Sequence, residues 1–198
     1  MNNPAQLVGE DAVTSVVAPS DFPAAEEIEL LWRIGLFSLD DERALRRLWR
    51  VLKGQTDDYL DMVLGMVAAY PALATTLAAT CRENLGDSMD GSATVRPLFR
   101  KWLLETCLTP RDPSWLKRLY SLYSNPSSER PMQAISAKLP GFRYLITLSF
   151  PLVATLRSLL VGADLAHQEI ERMQFAFLKA ILLQVALLSK LYVKEEVW

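Results

Sequence analysis

The 198-residue sequence is poor in the residue types that most catalytic and metal chemistry needs. It has one histidine, His167, so neither a Ser-His-Asp constellation nor a histidine metal cluster is indicated. It has two cysteines, Cys81 and Cys107, which make no disulfide framework and point to a reduced, cytoplasmic setting. Only 8 residues are glycine, and none forms a phosphate-cradling Gly-rich loop. The net charge is −2, which gives nucleic acid no electrostatic hold. The amino terminus lacks the basic start and apolar stretch of a signal peptide. Long uninterrupted apolar runs are also scarce. Leu145 to Leu156 contains Pro151 and is flanked by Arg143 and Arg157, and Phe175 to Leu188 contains Lys179 and Gln184. Both are read as falling short of a membrane span and as buried helices. Catalysis is not indicated; a non-enzymatic binding protein is expected.

What is present is helical periodicity, with no alternating strand pattern, so the fold class is all-α. Residues 1–20 are polar and small and are expected to form a flexible arm; residues 21–198 form one domain. A first helix is expected from Phe22 to about Phe37. Ser38-Leu-Asp-Asp41 starts a second in capping-box manner, and Gly54 breaks it. A third runs from Tyr59 to Ala69 and ends at Tyr70-Pro71. Residues 71–85 are ambiguous, and 86–92 read as a loop. Val95 to Leu108 is a fourth helix, with Leu98, Phe99, Trp102 and Leu103 on one face. In the next, Asp112 is the N-cap, Pro113 the first helical residue, and Pro126 the stop. Residues 125–139 read as a long loop. A helix from Pro140 to about Val161 is expected to kink at Pro151. After a turn at Gly162-Ala-Asp164, the last helix runs from about Leu165 to Val193. It is apolar nearly all round and needs burial on more than one face, one against the core and one against a second subunit.

Several segments carry a family resemblance. They are Leu36-Phe-Ser-Leu-Asp-Asp-Glu42, Tyr59-Leu-Asp61, Tyr70-Pro71, Phe99-Arg-Lys-Trp-Leu-Leu-Glu-Thr106, Ser114-Trp-Leu116 with Tyr120, Gly141-Phe-Arg-Tyr-Leu145, Pro151-Leu-Val-Ala-Thr155, and Leu183-Gln-Val-Ala-Leu187 with Tyr192-Val-Lys194. In these the chain resembles the protoglobins and the globin domains of globin-coupled sensors, from about Leu30 to Lys194. The resemblance implies a three-over-three globin sandwich with an extra N-terminal helix, a pocket shaped for a tetrapyrrole, and a homodimer through the last two helices.

The chain departs from that family where iron would be held. Protoglobins carry the iron-binding His four residues after an Ile; here the Ile position is Leu122, and the ligand position falls on Pro126. Proline has no side-chain donor. Where the family places Trp-Tyr on the distal side, this chain has Val63-Leu64, while Phe99 keeps the family's distal phenylalanine. The resemblance and periodicity together give a candidate pocket of Val63, Leu64, Phe99, Trp102, Leu119, Tyr120, Tyr123, Pro126, Arg143, Leu148 and Leu152.

Tyr123 is either a phenolate iron ligand or an aromatic filling the pocket. Cys107 and Cys81 are either inert thiols or points of ligation and thioether attachment. Arg96, Arg100, Lys101, Lys117, Arg118 and Arg143 are propionate partners or solvated faces, with Arg143 favoured because it lies in a matched segment. Phycobiliproteins share the globin fold, bind bilins, and show a segment similar to Asp112-Pro-Ser114. The expected ligand is therefore an open-chain bilin or another metal-free tetrapyrrole. The alternatives are a haem-free dimeric scaffold, its cavity plugged by Tyr123, Leu64 and Leu148, and a haem protein with a non-His ligand.

Overall fold

The computed structural model describes residues 22–71, 74, 91–124 and 142–192, and for 91–95 and 121–124 the backbone alone. Seven helices and no strand occur among the described residues: α1 (Ala25–Ile34), α2 (Leu39–Leu52), α3 (Thr56–Ala68), α4 (Gly91–Leu108), α5 (Pro113–Ser124), α6 (Phe142–Val161) and α7 (His167–Ser189). The arm expected over 1–20, the ambiguous segment with Cys81, and the loop with Pro126 lie outside the described residues.

The helix ends follow local chemistry. At α2 the Ser38 side chain accepts from Asp41 N, and the Asp41 carboxylate accepts from Ser38 N at 2.8 Å, a reciprocal capping box. At α5, Asp112 Oδ1 accepts from Ser114 N at 2.9 Å, and Pro113 occupies the first turn. Several boundaries differ from the sequence reading: α1 spans Ala25–Ile34 rather than Phe22 to about Phe37, α3 begins at Thr56 rather than Tyr59, and α7 ends at Ser189 rather than Val193. The α4 helix begins at Gly91 rather than Val95 and carries Pro97 inside it. The α7 helix spans His167–Ser189, starting two residues late because Asp164 adopts a left-handed φ of 52° and Ala166 is extended. Leu165 and Ala166 therefore belong to the connection.

The α6 and α7 helices extend beyond the two apolar runs, Leu145 to Leu156 and Phe175 to Leu188. By length and composition each can cross a membrane, with mean hydropathy 1.7 for Phe142–Val161 and 1.4 for His167–Ser189. The expectation that both fall short of a span is corrected in this respect, because each helix runs on past the charged or polar residues that flank or interrupt its apolar run.

The α7 helix is the axis of the core. It packs on α6 and α2 most extensively and also meets α1, α4 and α5. Its inner faces bury Met173, Phe177, Ala180 and Ile181 against Leu45, Leu48 and Leu52 of α2, Leu103 of α4, and Leu156 and Leu160 of α6 in one cluster. The α3 helix crosses onto α6 and α4. Much of the apolar circumference of α7 is thus covered by its own chain, while Phe175 and Leu182 stay exposed.

Candidate functional site

The candidate pocket residues other than Pro126 sit on α3, α4, α5 and α6, and a tyrosine not among them ties three of these helices together. Tyr59 lies at the start of the apolar stripe of α3 and is fully buried. Its hydroxyl donates to the Leu152 carbonyl oxygen of α6 at 2.7 Å. Its ring meets Phe99 of α4, with centroids 5.8 Å apart. Phe99 in turn meets Trp102 at 5.1 Å, and Trp102 meets Phe177 of α7 at 6.0 Å. Phe99, Trp102 and Leu152 are therefore brought together. Val63, one turn beyond Tyr59, is buried on α3; Leu64, Leu148 and Leu152 are half-buried.

Burial pushes the Tyr59 phenol well above its ordinary range, and the neighbouring Cys107 pushes the same way. Burial likewise raises the Cys107 thiol, which is free and fully enclosed. Both groups keep their protons at neutral pH. A protonated, enclosed thiol is a poor nucleophile and a poor ligand, which favours the inert reading of Cys107.

The polar groups of this wall are turned back into the protein. Trp102 Nε1 donates to Gln184 Oε1 of α7 at 2.8 Å, and Gln184 Nε2 donates to Thr106 Oγ1 at 3.0 Å. On the outer side of α3 and α4, Arg100 pairs with Asp57, and Arg96 with Asp61 at 2.5 Å. The Arg100 guanidinium holds the Asp57 carboxyl below the usual range. Arg118 pairs with Glu105 at 3.0 Å, and Lys117 stands 5.6 Å over the Phe22 ring. Arg96, Arg100, Lys117 and Arg118 are thus engaged within the chain. Arg143 is exposed at the first turn of α6.

Leu119 and Tyr120 are buried on α5, where the Tyr120 ring meets Phe22 edge-on at 5.4 Å. Tyr123 lies within α5, but its side chain, like all of Pro126, is outside the described residues. Between α1, α5 and α7 lies a crevice of about 10 Å³ lined by Ile28, Leu31, Trp32, Leu116, Leu183 and Leu187. That is room for roughly one water and no place for a macrocycle.

Tyr59, Thr106 and Gln184 were missed as site residues. Each had a faint signal: Tyr59 and Thr106 lie in family-like segments, and Gln184 is a lone amide in an apolar run.

These residues do not fit a histidine-ligated haem. His167, the one imidazole of the chain, is the first residue of α7, its side chain 68% exposed and its Nε2 3.2 Å from Glu171 Oε1. Around Phe99 the described side chains are aromatic and aliphatic, with a phenol and a thiol that burial keeps protonated. Among the described residues no group of three His, Cys, Asp or Glu is placed to hold a metal ion. A family model described as Protoglobin matches residues 24–198. No curated protein matches the chain.

Proposed function

The chain belongs to the protoglobin family, hence is a globin-type ligand-binding protein, and from that premise we propose that it takes a metal-free tetrapyrrole, foremost an open-chain bilin, in place of histidine-ligated haem. The family usually binds haem. The observation that carries the reading is the position of His167, exposed in the first turn of α7 with its Nε2 3.2 Å from Glu171 Oε1. Axial ligation is the main grip of a globin on its iron, and no other imidazole exists in the chain. The resemblance that puts Pro126 at the ligand position points the same way. The half-buried Phe99, Trp102 and Leu152 offer aromatic and aliphatic surface suited to a conjugated ligand.

The test is spectral. Biliverdin added to the purified protein is expected to show a shifted long-wavelength band that elutes with the protein on a sizing column. An unshifted spectrum with no retention refutes the bilin reading. Haemin is expected to give the same Soret spectrum with wild type and His167→Ala. A Soret change on Tyr123→Phe would move the assignment to a tyrosinate-ligated haem.

The second reading, a haem-free scaffold, draws on the ring column Tyr59–Phe99–Trp102–Phe177, which occupies the ground between α3, α4 and α7. Under either reading the protein acts as a homodimer through α6 and α7. Supporting this, Ile146, Phe150 and Val161 of α6 and Phe175 and Leu182 of α7 are exposed. Such a set of large apolar side chains on a helical hairpin is the usual mark of an interface.

A further inference from the structure

We infer that Gln184 is a positioning residue for the ligand wall, holding Phe99 in place through Trp102. The inference rests on the ligand-binding reading above and names what sets the shape of that site. Gln184 is the one polar side chain among the buried residues of α7. A buried amide is retained where its hydrogen bonds are made, because an unmet one is costly. Both ends of this amide are used, one accepting from the Trp102 indole and one donating to the Thr106 hydroxyl. Trp102 and Thr106 are one helical turn apart, so α7 grips a single face of α4 at two points.

The held indole leans on Phe177 and on Phe99. Phe99 leans also on Tyr59, which is anchored by its own hydroxyl to the Leu152 carbonyl. The Phe99 ring therefore stands between two rings, each fixed by a hydrogen bond made elsewhere. Phe99 and Trp102 remain half-buried, whereas Leu103, Thr106 and Cys107 of the same helix are fully buried. With its N–H committed to Gln184, Trp102 presents ring surface and no donor. A ligand on this side is selected by the shape of a conjugated plane rather than by hydrogen bonding to α4.

Two variants test this. Gln184→Met keeps the volume and loses both hydrogen bonds; Trp102→Phe keeps an aromatic ring and loses the donor. In ligand-free protein, the Trp102 indole proton is expected to exchange about five- to tenfold faster in Gln184→Met, as loss of one buried hydrogen bond implies. The Phe99 ring-proton resonances are expected to shift in both variants. Unmoved Phe99 resonances in the folded variants overturn the inference.

With biliverdin, the wild-type wall is expected to impose one helical sense on the ligand, read as induced circular dichroism. Both variants are expected to lose about half or more of that signal, and in Gln184→Met, which leaves every ring of the wall in place, affinity is expected to stay within about threefold. Thr106→Ser, which keeps the hydroxyl, is expected to retain it. Wild-type dichroism in both Gln184→Met and Trp102→Phe overturns the inference. If biliverdin does not bind wild type, the bilin reading fails by itself, and the Phe99 ring-proton shifts decide whether Gln184 places the ring. If Gln184→Met does not fold, Trp102→Phe gives both measurements.

Discussion

At Tyr59 a hydroxyl is committed to a helix carbonyl one residue past Pro151. Tyr59→Phe keeps the ring against Phe99 and removes that bond. The expected cost is about 1 kcal/mol, checked by urea unfolding; a cost near zero means the carbonyl finds its helical partner alone. Tyr59 and Cys107 also set the alkaline limit of the fold. Both are acids whose folded form holds the proton to higher pH than the unfolded chain does. The unfolded chain therefore releases protons first, and stability falls as pH rises past the ordinary thiol value of 9.0 and then the ordinary phenol value of 10.0. Cys107→Ala and Tyr59→Phe should each flatten that fall. Comparing urea midpoints at about pH 8 and about pH 10.5 checks it, and an unchanged slope in both variants contradicts it.

Among the elements, α2 depends on its first turn. Asp41 closes the capping box with Ser38 and also pairs with Lys179 Nζ of α7 at 3.0 Å, while Lys179 donates to the Leu36 carbonyl. Leu36 adopts a left-handed φ of 50°, a conformation that costs a leucine about 1 kcal/mol and persists because this loop is held. Ser38→Ala should cost about 1 kcal/mol, the usual price of a lost N-cap. Asp41→Ala should cost more, because it also leaves Lys179 without its carboxylate. Thermal unfolding of the two variants measures the difference; equal melting temperatures would show that the α7 contact contributes nothing.

For the whole molecule the decisive feature is that α7 is surrounded. Five of the other helices lie against it, and Ile146, Phe150, Val161, Phe175 and Leu182 are left exposed on α6 and α7, while Leu30, Ile34, Leu36 and Leu39 form a second exposed apolar set from α1 to the start of α2. Phe150→Asp or Phe175→Asp should shift the proposed dimer to monomer in sedimentation velocity while helical circular dichroism stays unchanged. Both residues are exposed, Phe150 at 77% and Phe175 at 63%, so the folded monomer loses little by the change. Dimers that persist at micromolar concentration in both variants would place the interface elsewhere.

The amino-acid sequence by itself determined the all-helical class, the family, and those helix ends that short-range chemistry writes. The Ser38 and Asp112 caps and the break at Gly54 join residues a few positions apart, so they are visible in a line of letters. Only the tertiary structure decided that Tyr59 meets Leu152, 93 positions away, and that Trp102 meets Gln184, 82 positions away. It also decided that Arg96 and Arg100 pair with Asp61 and Asp57. Periodicity says which residues share one face of a helix. Which face meets which is set by packing all the helices at once, and that is where the wall of the site is made.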